Sequence, residues 1–134
     1  MAMQLSVAAR NALLDAIETA TGATAKLQIR TGAQPANCAA AASGTLLAEL
    51  TLPSDWMAAA SGGTKALAGS WTGTASATGT AAHYRIVDNA GTTCHEQGSV
   101  TATGGGGDLT LDSTSITSGQ TVTITSKTLT APNA

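Results

Sequence analysis

The spacing of apolar residues changes once along the chain, from the period of a helix to the period of a strand. Near the start, one helix face is marked by residues at helical spacing: Val7, Arg10, Leu14 and Ile17, with Leu13 widening the apolar stripe. Ser6 suits the N-cap and Gly22 the C-terminal stop, so we predict a helix over residues 6–22. Asp15 and Glu18 are expected to face outward. The helix either packs on one end of the following domain or docks on a partner.

From Lys26 onward, apolar and polar residues alternate, which is the period of a β-strand. We predict a strand that begins at Lys26 and further strands at residues 45–52, 64–72, 80–88, 92–103, 108–112, 115–116 and 121–130. The turn at residues 88–91 makes its flanking strands a hairpin, with a bulge at Gly98. Seven or eight short strands with Gly-rich turns predict a mainly β domain over residues 25–130, a β-sandwich or barrel-like fold of the jelly-roll or a related type.

The composition limits how stable such a domain is by itself. A length of 134 residues predicts one domain, residues 1–134. The chain is 43% hydrophobic, but much of that is Ala, no Phe is present and only 2% of the residues are aromatic. Burying Ala removes less apolar surface from water than burying Leu or Phe, so the core is lean. Oligomerisation or docking on a larger assembly would add the missing burial.

Charge and hydropathy argue against two classes of partner. The net charge is −2, and the six basic residues are spread from Arg10 to Lys127 without a basic patch, so we expect no nucleic-acid binding. No segment approaches the ~20 consecutive apolar residues of a membrane span, so we expect no membrane partner. The first residues lack the basic and apolar regions of a signal peptide, which predicts a protein made and used without Sec export.

The two cysteines, Cys38 and Cys94, lie far apart in the sequence. A reducing cytosol favours two free thiols, and this is the prediction. A disulfide would require the fold to bring the two residues together, which the sequence leaves open.

Few residues suggest catalytic or metal-binding chemistry. The run Cys94–Glu96 contains three residue types that bind metals. Neighbours on a strand point to opposite faces, however, whereas a metal site needs three or four converging ligands. His83 and His95 would face each other if they met across the hairpin. Asp108 and Asp112 look like turn residues at strand ends rather than a catalytic carboxylate pair. We therefore expect no enzyme, no metal site and no cofactor.

Trp56 and Met57 follow Pro53 in a segment, residues 54–63, that reads as a loop or a helical turn. Trp and Met are enriched at protein interfaces. The segment therefore either folds back to cap the core or anchors the chain in a neighbouring subunit.

Several stretches together resemble a small virion protein of tailed bacteriophages. They are Ala9–Glu18, Lys26–Gly32, Pro35–Cys38, Gly44–Ala48, Leu52–Met57, Gly79–Ile86 and Thr101–Asp108. The resemblance covers nearly the whole chain and is one of overall pattern, with no catalytic motif inside it.

This resemblance implies a structural role in the virion, and a decoration (cement) protein on the capsid surface fits best. Such a protein, made in the cytoplasm of the host bacterium, would bind the major capsid protein and itself, with a trimer favoured. The contact candidates are Leu5 and Val7 at the N-terminal end and Trp56 and Met57 in the loop. The alternative is a tail component: tube, terminator or tip. A carbohydrate-binding β-sandwich would need an aromatic platform, for which three aromatic residues are too few.

Overall fold

One helix, α1 (Val7–Thr21), precedes a set of strands in the computed structural model, which describes residues 2–133. The helix begins where Ser6 accepts a hydrogen bond from the Ala9 backbone N–H through its side chain, at 3.1 Å. It ends where Gly22, at a positive φ of 91°, donates its N–H to the Glu18 carbonyl. The predicted helix and both of its end signals are confirmed.

The rest of the described chain is strand and connecting loop, and the whole is 38% strand and 11% helix. The strands are β1 (Lys26–Arg30), β2 (Leu46–Thr51), β3 (Thr64–Ala66), β4 (Trp71–Thr74), β5 (Gly79–Thr80), β6 (His83–Val87), β7 (Cys94–Ala102), β8 (Leu109–Leu111), β9 (Ser115–Ile116), β10 (Thr121–Ile124) and β11 (Thr128–Thr130). The predicted mainly β fold with one N-terminal helix is confirmed. Eleven strands replace the predicted seven or eight because the predicted segments at 64–72, 80–88 and 121–130 are each broken in two.

Five strands form a curled half-barrel sheet in the order β2-β1-β6-β7-β8. All neighbours are antiparallel except β7 and β8, which are parallel. The chain returns between those two through four consecutive glycines, of which Gly104 and Gly106 have φ values of +88° and +80°. Such positive φ values favour glycine, and they allow a short loop where parallel strands ordinarily need a long crossover.

The predicted hairpin of β6 and β7 is present, but its bulge is not at Gly98. The pairing shifts between Ile86 and Val87, so the extra residue on the facing strand is His95. Gly98 pairs regularly with Tyr84, and a Cβ there would lie 2.8 Å from an edge carbon of the Tyr84 ring. The glycine serves the packing of that ring rather than a bulge.

The six remaining strands form one long, irregular two-stranded ribbon, residues 64–81 and 114–131. Trp71 pairs with Ile124 and Thr80 pairs with Ser115, so both segments advance by nine residues between these pairs. The ribbon is interrupted around residues 67–70, where the Ala68 N–H bonds instead to the Trp56 carbonyl. It also crosses the edge of the half-barrel, since Ser76 donates its N–H to the Leu47 carbonyl on β2.

One hydrophobic cluster lies between the half-barrel and the ribbon. Its largest members are Trp56, Trp71, Tyr84, Leu27, Ile29, Leu47, Leu50 and Ile86, each at most 1% exposed. The two indole rings lie 6.0 Å apart at an angle of 54°. The Trp56 indole N–H donates to the Gly22 carbonyl, and that of Trp71 to the Trp56 carbonyl, each at 3.0 Å. These bonds tie the helix end to the core.

Candidate functional site

The helix turns its charged side chains toward the domain, against expectation. The Arg10 guanidinium donates to the Ala131 carbonyl at 3.1 and 2.7 Å. The Asp15 carboxylate accepts from Lys65 Nζ at 2.7 Å and from the Ala60 backbone N–H at 3.0 Å. The prediction that Asp15 and Glu18 face outward misses their contacts with the segment around residues 57–65: Glu18 is half-buried, and the Asp15 side chain, although 48% exposed, is turned toward Lys65 and Ala60.

The side of α1 that faces away from the domain carries no charge. We call it the outer helix face and define it by its exposed residues Ala8, Ala12, Leu13, Ala16 and Ala20. The four alanines recur every fourth residue, and Leu13 is 50% exposed. The expectation that Leu13 widens the buried stripe is wrong, since the buried residues of the helix are Arg10, Leu14 and Thr21. This face has apolar surface but no charge to desolvate when another surface covers it.

The two N-terminal contact candidates lie beside this face. Val7 is one heptad before the buried Leu14, but it lies at the helix end and is 52% exposed. Leu5 is half-buried, and its backbone N–H donates to the Asn133 carbonyl at 2.6 Å. Met3 adds a further exposed apolar side chain. Met3 and Val7 are therefore the exposed apolar side chains of this segment, whereas Leu5 lies against Asn133.

The two loop candidates, Trp56 and Met57, are buried in their own chain. Trp56 is 0% exposed and Met57 is 1% exposed, so neither side chain is accessible as a surface anchor. Residues 54–63 are a loop that folds back over the core, held by a bridge between Met57 and Leu67. Two large apolar residues in a loop suit a segment that covers the core and a segment that anchors in a neighbouring subunit equally well. The sequence therefore contains no signal that distinguishes these two roles.

The residues singled out for metal chemistry do not come together. His83 pairs with Ser99 and its ring lies against the Gly32 carbonyl, whereas His95 lies at the bulge near the other end of the hairpin. The two histidines do not meet across the hairpin, because the register separates them. Among residues 2–133, no three His, Cys, Asp or Glu side chains are grouped as a metal site would require.

A buried polar cluster that the sequence did not predict lies where the ribbon meets β6 and β7. Lys127 Nζ lies 3.0 Å from a Glu96 carboxylate oxygen and 5.0 Å from the centre of the Tyr84 ring. The Tyr84 hydroxyl donates to the same carboxylate oxygen. Burial and the neighbouring Glu96 charge raise the pKa of Tyr84 far above its usual range. The Lys127 side chain is only 1% exposed, so this is a buried ion pair.

The long connection between β1 and β2, residues 31–45, lies across the outer side of the half-barrel; we call it the strap. Cys38 of the strap and Cys94 of β7 form a disulfide, with their Cα atoms 5.1 Å apart. The prediction of two free thiols is wrong, because the strap crosses β6 and reaches the start of β7. Arg85 also holds the strap, donating to the Cys38 carbonyl at 2.7 Å and to the Ala40 carbonyl at 3.0 Å.

Comparisons with protein-family models, with curated proteins and with solved structures gave no match. Within residues 2–133, no helix has both the length and the apolarity that a membrane crossing requires.

Acid is expected to destabilise the fold through three aspartates whose pKa is lowered. Lys65 lowers the pKa of Asp15, the Thr92 and Thr93 backbone N–H groups lower that of Asp88, and the Ser99 N–H lowers that of Asp108. Because each folded-state pKa lies below the unfolded one, their contribution is full above pH ~4 and is lost as the pH falls through the folded-state values. Glu18, whose pKa is raised by burial, acts in the opposite direction.

Denaturant titrations between pH 7 and pH 2 measure this loss. We expect D88N to lower the free energy of unfolding at pH 7, and we expect its difference from the wild type to shrink as the pH falls through the folded-state pKa of Asp88. E18Q is the control of opposite sign, and it should raise stability at pH 7. An unfolding free energy that stays constant down to pH 2 would contradict the assignment.

Proposed function

We propose that this chain is a structural protein of a tailed-phage virion that binds the outer surface of the capsid and cements neighbouring major capsid subunits. The observation that carries the proposal is the outer helix face, an exposed and uncharged helix surface whose charged residues are turned inward. The resemblance of the sequence to small virion proteins supplies the kind of partner.

The lean core favours a protein that works as part of an assembly. The described chain has three aromatic side chains, all buried, and its outward strand positions are largely threonine. Contacts between copies and with the capsid lattice would add the buried area that this small core lacks. A homo-oligomer, with a trimer favoured, would place several outer helix faces on one assembly.

The mechanism of cementing is multivalent contact. A copy that touches two capsid subunits makes the second contact at a high effective concentration, so the shell opens only if both contacts break together. The absence of charge on the outer helix face limits the desolvation penalty of each contact. The disulfide joins the strap to β7, and the buried Lys127–Glu96 pair joins the ribbon to β7.

Copy number in purified virions tests the proposal, measured by mass spectrometry against the major capsid protein. A ratio near one to one supports a decoration protein. A ratio of a few per hundred capsid subunits overturns the cement role in favour of a tail component, and absence from particles overturns the virion assignment.

The contact surface is tested by the double variant A12E/A16E, which places two carboxylates on the outer helix face. Glu is nearly as good a helix former as Ala, so the helix is retained. We expect at least a hundredfold loss of binding to particles that lack this protein, because two charges would have to be buried without partners (about 1.5 kcal/mol or more each). The measurement is the number of purified copies bound per particle.

A90E is the matched control, since Ala90 is exposed in the hairpin turn, away from the helix. It should bind as the wild type does. Equal binding by A12E/A16E and wild type would remove the outer helix face from the contact, while the copy number would still decide the role in the virion.

A further inference from the structure

A cleft of about 220 Å³ lies between the strap and the sheet beneath it. Its roof is formed by residues 39–42, and its floor includes Gln28 and Arg30 of β1 and Arg85 of β6. The floor belongs to a polar row across the outer side of the sheet, in which Gln28 pairs with both Glu49 and Arg85. The strap therefore covers polar side chains rather than an apolar core.

Two cations in this cleft have no carboxylate partner. Three of the six basic residues form ion pairs, namely Lys26 with Glu49, Lys65 with Asp15 and Lys127 with Glu96, and a fourth, Arg10, donates to a backbone carbonyl. Within residues 2–133, neither Arg30 nor Arg85 lies within 4.0 Å of a carboxylate oxygen. The two remaining basic side chains, Arg30 and Arg85, thus line one cleft.

The carboxylate that acts on Arg30 is that of Glu49, and it already interacts with other groups. The Glu49 carboxylate accepts from Gln28 Nε2 at 2.8 Å and lies 3.7 Å from Lys26 Nζ. Arg30 donates instead to the neutral Gln28 side-chain oxygen, from Nε at 3.3 Å and from a terminal nitrogen at 3.2 Å. Its charge is therefore solvated by an amide and left uncompensated.

Arg85 is more deeply buried and also incompletely satisfied. It is 4% exposed, its two terminal nitrogens donate to strap carbonyls, and its Nε is buried without a hydrogen-bond partner. Burial, followed by the nearby Arg85 charge, lowers the pKa of Arg30. Two like charges held close together in a partly dehydrated cleft are unfavourable unless an anion joins them.

We propose that this cleft binds a small oxyanion of the phosphate or sulfate type between Arg30 and Arg85, under the strap. The planar guanidinium fork matches the spacing of two oxygens on such an anion, which a lysine does not. The Cys38–Cys94 disulfide fixes the strap above the site. This proposal does not depend on the proposed function, because it rests on the cationic cleft under the strap and not on the outer helix face.

Titration of the full chain with sodium phosphate and with sodium sulfate, at constant ionic strength in chloride, tests the site. Isothermal titration calorimetry gives the dissociation constant, and the NMR signals of Arg85 Nε–H and of the residue 39–42 amides locate the anion. We expect saturable binding by the wild type and about a tenfold or greater loss in R30Q, the loss of one charge-assisted hydrogen-bonding group.

K26Q is the matched control, because Lys26 lies on the same strand and the same side of the sheet and carries the same charge. It should change the dissociation constant by no more than about twofold, because Lys26 is partly solvated and does not line the cleft. R30K, which keeps the charge but not the fork, should fall between R30Q and wild type. Thermal melting in chloride checks that each variant is folded.

Three results would overturn the proposal. One is the absence of saturation up to tens of millimolar phosphate and sulfate. A second is an equal loss of affinity in R30Q and K26Q, which would indicate diffuse charge attraction only. Saturable binding that leaves the signals of Arg85 and of residues 39–42 unmoved would place the anion elsewhere and would also refute this site.

Discussion

Replacing both cysteines by serine is expected to lower the free energy of unfolding by about 4 kcal/mol, given the 56-residue separation of Cys38 and Cys94. The cross-link removes conformations from the unfolded chain, and the benefit grows with the length of the closed loop. The strap should also loosen selectively, because no large apolar side chain anchors it; Arg85, Gln97 and the disulfide attach it to the sheet.

Denaturant unfolding of C38S/C94S beside the wild type measures the stability change, and hydrogen exchange of residues 31–45 measures the loosening. Reduction of the wild type with dithiothreitol should reproduce both effects. N37A is the control within the strap, since it removes only a local bond to the Ala40 N–H. Identical unfolding midpoints for oxidised and reduced protein would contradict the prediction.

The second large effect is expected at the buried ion pair. K127M should lower the free energy of unfolding by about 3–5 kcal/mol, because it leaves the Glu96 carboxylate buried without its cation. The other Glu96 oxygen has no hydrogen-bond partner even in the wild type, so the remaining charge has only the Tyr84 hydroxyl. Removing only the Lys127 charge should therefore destabilise the fold more than removing the Lys127 and Glu96 charges together.

The double variant E96Q/K127M isolates this cause. It should regain most of the loss, since a neutral amide can still accept the Tyr84 hydrogen bond. K26M is the exposed control, because the Lys26–Glu49 pair is partly solvated at 3.7 Å, and it should cost less than about 1 kcal/mol. If K127M and the double variant unfold at the same denaturant concentration, the buried charge is not the cause.

Local signals in the sequence predicted the local structure well. The cap residues Ser6 and Gly22 bound the helix, and the turn at residues 88–91 joins β6 and β7 as expected. Both elements are specified by neighbours in the chain, through caps, turn residues and periodicity. The mainly β class followed from the same short-range patterns.

The features that failed depend on residues far apart in the sequence. The orientation of Asp15 was misjudged because Lys65, its partner, lies 50 residues away. The strand predicted at 121–130 breaks where Lys127 turns in toward Glu96, a contact that periodicity does not contain. The disulfide likewise depends on where the strap crosses the sheet.

The sequence predicts only part of the outer helix face. Alanines at four-residue spacing could be read, but their exposure depends on which side of α1 meets the domain. The contacts of Arg10 and Asp15 determine which side of α1 meets the domain. Their hydrogen-bond partners are the Ala131 carbonyl and the Ala60 N–H in the loop before β3. The cationic cleft was hidden for the same reason, since Arg30 and Arg85 meet only across paired strands.

The two-stranded ribbon has a consequence for how the chain acquires its fold. Its first segment, residues 64–81, pairs with residues that come 35 to 66 positions later in the chain, from Thr80 with Ser115 to Thr64 with Thr130. During synthesis the half-barrel strands β1, β2, β6 and β7 are complete while the ribbon is still single-stranded. Closure of the core is thus a late event with a high loop-closure entropy, so folding is slow for a domain of this size and is completed only as the last strand leaves the ribosome.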